Sequence, residues 1–330
     1  MDASDENLKG LFKAYNTAFT KAQLEATGRV GTHGITTEEL AYSINSTARL
    51  NQHAWMMQLP GMREWIGPRL VNELAFDAIT VVNRDFESTV EVKANDIADD
   101  QYGLYTPMLA ALGAASAGLW MELAIDALVK NQSWADGKPF FAANRKLSDG
   151  HSYPVTNGTV AAFSEAAVKA AIVAMESYML SADRPAQVSP KYILVGPALR
   201  DAALAVFERE FTTDGTTTVS NTSKGLLTVR VSNLLVGANA NRWFVLGEKN
   251  GIKAVSVQKR KLPVLASKDK PTDDNVFNEN KYLYGTHARG ESFLTLPVLA
   301  YAGGLASVTD LTPPDPPPGG GEEPGGGSGG

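Results

Sequence analysis

Residues 107–129, PMLAALGAASAGLWMELAIDALV, constrain the fold more than any other stretch. Pro107 suits a first helical turn, where its missing N–H costs little. Met108, Leu109, Leu112, Leu119, Trp120, Leu123 and Leu128 then make the helix apolar on most sides. A helix over these residues is about 35 Å long at ~1.5 Å per residue. Glu122 and Asp126 lie inside the stretch, which argues for a buried helix over a membrane span, since a span usually needs about 20 predominantly apolar residues. Gly113, Ala114, Ala115, Ala117 and Gly118 form a flat side that another backbone can approach closely. The expectation is a structural spine.

A helix buried on all sides needs a large core around it, and 330 residues can supply one large or two ordinary domains. With 0 Cys there are no disulfides, thiolate metal sites or cysteine nucleophiles, and nothing signals an oxidising compartment. The start MDASDENLKG lacks the basic and apolar regions of a secretory signal, so a cytosolic setting is expected. A net charge of -6 has the wrong sign for gripping nucleic acid through phosphate neutralisation.

Upstream, residues 7–26 place Leu8, Leu11, Phe12, Tyr15 and Phe19 at helical spacing. AWMMQLPGMREWIGPR (54–69) mixes methionine, Trp65, Arg63 and Arg69 in an irregular stretch suited to contacts, with covering of the domain's own core as the alternative. Residues 74–82 and 86–94 read as two strands joined at Asn83, Arg84 and Asp85, which are good turn residues. On the second strand Phe86, Ser88, Val90 and Val92 face one way, and Glu87, Thr89, Glu91 and Lys93 the other. Such a two-stranded ribbon is marginal alone and has to lay its apolar side on something.

Downstream, Ser164 is placed to cap a helix carrying Val168, Ile172, Met175 and Met179, ending near Leu180. KYILVG (191–196) is a short buried strand and Pro197 opens a further helix to about Phe211. Residues 212–225 read as a polar surface loop, and LLTVRV, WFVLG, IKAVSVQ and KYLYGTHARGESFLTLPVLAYAGG as strands. From Thr312 the chain is almost entirely Pro, Gly and Glu, a composition that cannot build a core and that also resembles a linker scar.

No reaction centre emerges. His33, His53, His151 and His287 are scattered without helical metal spacing. Asp96, Asp99 and Asp100 lack the alternating acids, central Gly and closing Glu of a calcium loop. ADGKPFF lacks the glycine framework of a phosphate loop, GAASAG lies inside a helix, and no G-x-S-x-G elbow occurs. A hydrolase built on the aspartate cluster would need a pocket to perturb its carboxylates, and none is indicated. The expectation is a non-enzyme with no cofactor and no metal.

MREWIGPR (62–69), NRDFESTVEVKANDIADDQYGLYTP (83–107), the apolar helix and ADGKPFF (135–141) together resemble the major head subunit family of Mu-like tailed phages. PKYILVGPALRDAALAVFERE, NRWFVLGE and VFNENKYLYGTHARG agree in the same order, so the resemblance runs from about residue 59 to 304. Residues 212–225, the chain before 59 and the Pro/Gly tail depart from it.

The resemblance implies an α+β tailed-phage major capsid fold of the Hong Kong ninety-seven type. It implies an N-terminal arm over 1–70, an extended two-stranded loop over 71–106 and a peripheral domain with the spine helix over 107–162. An axial α/β domain over 163–251, return strands over 252–306 and a tail over 307–330 complete the division. The implied function is a structural shell subunit that assembles with itself, as hexamers and pentamers, around double-stranded DNA in the virion. The shell of a protein nanocompartment is the alternative. Implied partners are a separate scaffolding protein, a portal and a decoration protein; no sequence-specific DNA binding, membrane or intersubunit crosslink is expected, and assembly is expected in the host bacterial cytoplasm. The expected subunit interface pairs Glu87, Glu91, Asp96, Asp99 and Asp100 with Arg63, Arg69, Lys259, Arg260 and Lys261 of a neighbour, pairing within one chain being the alternative, with Phe86, Val90 and Val92 supplying the apolar docking face and Trp65 a further contact.

Overall fold

The computed structural model describes residues 5–26, 31–55, 77–98, 103–147, 153–181, 184–214, 217–270 and 272–311. Helix α1 (Asp5–Ala26) leads to the short α2 (Thr37–Leu40), whose start is held by a capping box between Thr36 and Glu39. Strands β1 (Ala41–Asn45), β2 (Leu50–Trp55), β3 (Asp77–Val82) and β4 (Arg84–Lys93) precede α3 (Ala94–Ala98) and the long α4 (Tyr105–Val129). After β5 (Ala142–Ala143) come α5 (Glu165–Ser177), β6 (Met179–Ser181), β7 (Arg184–Pro185), β8 (Ser189–Val195) and α6 (Arg200–Phe207). Then follow β9 (Phe211–Asp214), β10 (Thr217–Ser220), β11 (Thr228–Val231), β12 (Trp243–Lys249), β13 (Ile252–Lys253) and β14 (Val255–Lys268). The described chain closes with α7 (Asp274–Glu279), β15 (Lys281–Leu294), β16 (Ala300–Gly303) and β17 (Thr309–Asp310).

Two sheets organise these elements. One runs β1-β14-β15-β4, with β1 parallel to β14 and the other pairs antiparallel. The other runs β11-β8-β12-β13, with β16 also on β12, and carries α5 and α6. Helix α4 lies on the first sheet, and α1 crosses it so closely that a Cβ at Gly113 would sit 2.3 Å from the Phe19 carbonyl oxygen. Of the small residues expected to form a flat side, Gly113 receives a backbone, whereas Ala115 is exposed and Gly118 has no close backbone neighbour. Tyr15, Phe19, Val92, Leu109, Leu112, Tyr282 and Tyr284 form a satellite core there, separate from the main core that spans both sheets. Ser164 caps α5 through Ala167 N–H at 3.1 Å.

Three expectations are corrected. Residues 74–82 and 86–94 do not form a hairpin: β3 pairs antiparallel with β2, from Leu50↔Val82 to Trp55↔Asp77, and β4 pairs with β15. Tight hairpin turns need residues at positive φ. Asn83, Arg84 and Asp85 have none, and Asn83 is buried at 4 % exposure instead of sitting at a turn. The span 71–106 is thus divided between a ribbon and a sheet, and the ribbon's first strand comes from the expected arm. Residues 212–225 are not simply a loop, because β9 and β10 pair within them. The helix after Pro197 begins as a 3-10 turn and stops at Phe207, where Gly225 N–H takes its carbonyl and the Asn221 amide takes that of Val206.

Candidate functional site

The β2–β3 ribbon leaves the first sheet at a buried polar junction. The Asn83 amide donates to Ser46 Oγ at 3.0 Å and to the Ala48 carbonyl at 2.8 Å, and its N–H donates to the Arg49 carbonyl. Gln258, fully buried on β14, donates to Asn83 Oδ1 at 2.7 Å. His53 Nε2 lies 2.6 Å from Gln258 Oε1, so with the Gln258 amide committed to Asn83 the imidazole donates from Nε2. Its ring stacks on Phe293 at 4.7 Å. Each buried polar group has a partner, which makes the junction rigid and specific in direction. Beyond it, Leu50 and Val82 form a cross-strand pair with both side chains about half exposed.

The anticipated contact residues fall into different places. Phe86 is half-buried beneath the Arg84 guanidinium, 5.3 Å from the ring centroid, and packs on the main core. Val90 is half-buried and Val92 is 3 % exposed, both in the satellite core under α1. Val92 is therefore packed into the subunit's own core against α1 and α4, which corrects its reading as a docking residue, while Phe86 and Val90 keep part of their surface. Glu87 is exposed and accepts from Thr89 Oγ1 at 2.8 Å. Glu91 accepts from Lys281 at 3.0 Å, and that bond, with a second to Glu279, raises the ammonium pKa. Asp96 is exposed on α3.

In the late basic run, Lys259 lies over Trp120 with Nζ 5.7 Å from the ring centroid. Arg260 donates to the Ser46 carbonyl at 3.2 Å, beside the ribbon junction. Lys261 Nζ is 2.9 Å from His287 Nδ1, while His287 Nε2 faces Asp85 at 3.1 Å. Arg63, Trp65, Arg69, Asp99 and Asp100 lie outside the described residues. Sequence reasoning missed Ser46, His53 and Gln258, which no motif connects, and it took Asn83 for a turn residue. Among the described residues no group of three His, Asp or Glu side chains could hold a metal ion.

The model of the family described as Mu-like prophage major head subunit gpT matches residues 8–166, 155–235 and 221–307. The Mu-like prophage FluMu major head subunit of Haemophilus influenzae is 36 % identical over 105 residues, 31 % of this chain and 34 % of that one. The major capsid protein of Escherichia phage Mu is 22 % identical over 251 residues, 76 % of this chain and 60 % of that one. The matches thus span about a third of the length of the first relative and 60 % of that of the second. Among solved structures, the capsid of cyanophage P-SCSP1u superposes with a TM-score of 0.53 at 14 % identity, covering 84 % of this chain and 89 % of that one. The fold is that of tailed-phage capsid proteins, with mixed helix and sheet. With the family match running almost unbroken from residue 8 to 307, the chain belongs to the Mu-like prophage major head subunit family.

Proposed function

We propose that this chain is a structural shell subunit that assembles with itself, as hexamers and pentamers, into the icosahedral head of a tailed phage around double-stranded DNA. The observation that carries the reading, beside family membership, is the β2–β3 ribbon. It is clamped at its base by the Asn83–Gln258–His53 relay and leaves the Leu50–Val82 pair uncovered. Among the described residues the ribbon has no third strand, and two strands alone are marginal in water, so the ribbon serves as an arm that a neighbour completes. Many such modest contacts closed by symmetry stabilise a shell without one tight interface. The net charge of -6 keeps the wall from adhering to the polyanion inside.

Assembly takes place in the host bacterial cytoplasm, with a separate scaffolding protein, a portal and a decoration protein as partners. The exposed acids Glu87 and Asp96, with Asp99 and Asp100, and the basic Arg260 and Lys261 set the register of neighbouring subunits; exposed pairs contribute only about 0–1 kcal/mol each. Electron microscopy of the purified chain, with and without its scaffolding protein, tests the reading. Closed shells of uniform diameter are the expected result. Monodisperse monomers under both conditions would refute it.

A further inference from the structure

Strand β11 lies at the end of its sheet, yet it is not open. Its backbone groups point alternately to its two edges. The N–H of Ser232, just past the strand, reaches the Val195 carbonyl on β8 at 3.0 Å, and the N–H of Val231 reaches the His33 carbonyl on the outer side at 2.8 Å. Val229 and Val231 therefore present the outer edge. Gly34 makes a parallel bridge to Val231, and Val229 is 0 % exposed. Residues 33–39 thus lie over an edge that, left bare, invites pairing with another chain.

The cover is latched by charge. The Arg230 guanidinium donates to Glu39 Oε1 at 2.8 Å and Oε2 at 3.2 Å, and to the Val229 carbonyl at 3.2 Å, while lying 5.4 Å from the Tyr192 ring centroid. Both charged side chains are largely buried. Glu39 Oε2 also accepts the Thr36 N–H of the capping box, so one carboxylate fixes α2 and the edge together. We propose that residues 33–39 are a guard over the β11 edge, with Arg230 and Glu39 as its latch, and that release of the latch opens the edge to pairing with β11 of a second copy. The proposal concerns the free subunit and does not depend on the shell-subunit reading.

Register selects a second copy as the occupant. Antiparallel pairing about a two-fold axis at Arg230 sets Val229 of each copy against Val231 of the other, and these are the residues whose N–H and C=O groups point outward. The same axis brings Leu226 beside Leu234 of the other copy, and both leucines are nearly half exposed in the subunit. Arg230 then faces its own copy, and like charges directly opposite are unfavourable. Arg230 thus guards the edge in two ways, by holding the cover down and by opposing the pair. A free subunit is thereby kept from joining another copy sheet to sheet.

Arg230→Leu removes both effects and leaves the largely buried Glu39 carboxylate without its partner, which favours lifting the segment into water. Below the concentration at which particles sediment, the full-length variant is expected to raise the dimer fraction about tenfold over the parent, with faster hydrogen exchange at residues 33–39. The chain has 0 Cys, so an introduced thiol marks the contact. In the Arg230→Leu background, Thr228→Cys, exposed on β11, is expected to crosslink between copies through a short bis-maleimide severalfold more than Val173→Cys, exposed on α5. Thr36→Val, which weakens the α2 cap and keeps the latch, is expected to stay monomeric. Should Arg230→Leu not fold, Arg230→Lys, which keeps the charge and loses the two-point contact, carries the same readouts. A variant that stays monomeric although residues 33–39 exchange faster overturns the docking edge, and unchanged exchange there overturns the latch. Dimers that crosslink equally through Val173→Cys, or that Thr36→Val forms as readily, reduce the effect to general loosening and overturn the proposal.

Discussion

Gln258 on β14 and Asn83 between β3 and β4 join through a hydrogen bond of 2.7 Å between buried side chains 175 positions apart in the chain. That bond, relayed to His53, fixes the direction in which the ribbon leaves the sheet. Gln258→Leu removes it and leaves the Asn83 carbonyl oxygen without that donor and the His53 N–H without its acceptor. The expected loss is about 1–3 kcal/mol of unfolding free energy by urea titration. Limited proteolysis is expected to speed up in residues 50–82 before the rest of the chain is cut.

Val92→Ser is expected to destabilise the unassembled subunit by about 2–3 kcal/mol, because the side chain is 3 % exposed among Tyr15, Phe19 and Tyr282 and the hydroxyl enters an apolar site. Val90→Ser, at a half-buried position, is expected to cost less. Denaturation of the isolated chain separates this from an effect on assembly. Equal stability of Val92→Ser and the parent would place the strand outside the subunit core.

Gly113→Ala puts a methyl group where the Phe19 carbonyl oxygen stands 2.3 Å away, and the obstacle is backbone. Helix α1 has to shift, so a loss of about 1–3 kcal/mol is expected. Faster amide hydrogen exchange should be confined to α1 and the facing turns of α4. Gly118→Ala is the control, since a Cβ there meets only the end of the Glu122 side chain at 3.8 Å.

Glu165 at the start of α5 is held below the usual carboxylate pKa by its hydrogen bonds to Lys169 and then to the buried Ser223 hydroxyl, the latter at 2.6 Å. A depressed folded-state pKa stabilises the fold above the unfolded-state value, and that stabilisation is lost as pH falls through the folded-state value. Glu165→Gln is therefore expected to be less stable than the parent at pH 7, by an amount reduced by the carboxylate's exposure to solvent. The gap should close as pH falls below the ordinary carboxylate range. A gap that widens on acidification would refute the assignment.

The spine helix was legible because residues 107–129 carry its whole specification locally: an apolar surface, proline in the first turn and small residues on one side. The same holds for α5, whose cap and buried face lie within a few turns of one another. Residue order also carried the family resemblance, since MREWIGPR and the stretch from 83 to 107 are continuous strings that need no folding to be compared. Strand pairing was a different matter. The two strands expected around Asn83 exist as β3 and β4, but alternation says which way side chains face and nothing about which edge takes the hydrogen bonds. Pairing of β4 with β15 brings together residues about 200 positions apart. Residues 50–55, polar apart from their ends, gave no periodic signal that they form half of the ribbon. Asn83 had the composition of a turn and became a buried bridge because Ser46, Ala48 and Gln258 met around it. Local sequence thus determined the helices and the family, because short-range sterics and side-chain periodicity act within a few residues. Only the tertiary structure decided which segment became the ribbon and which became sheet, because backbone hydrogen bonds between strands are indifferent to side-chain identity and are settled by what else the fold brings alongside.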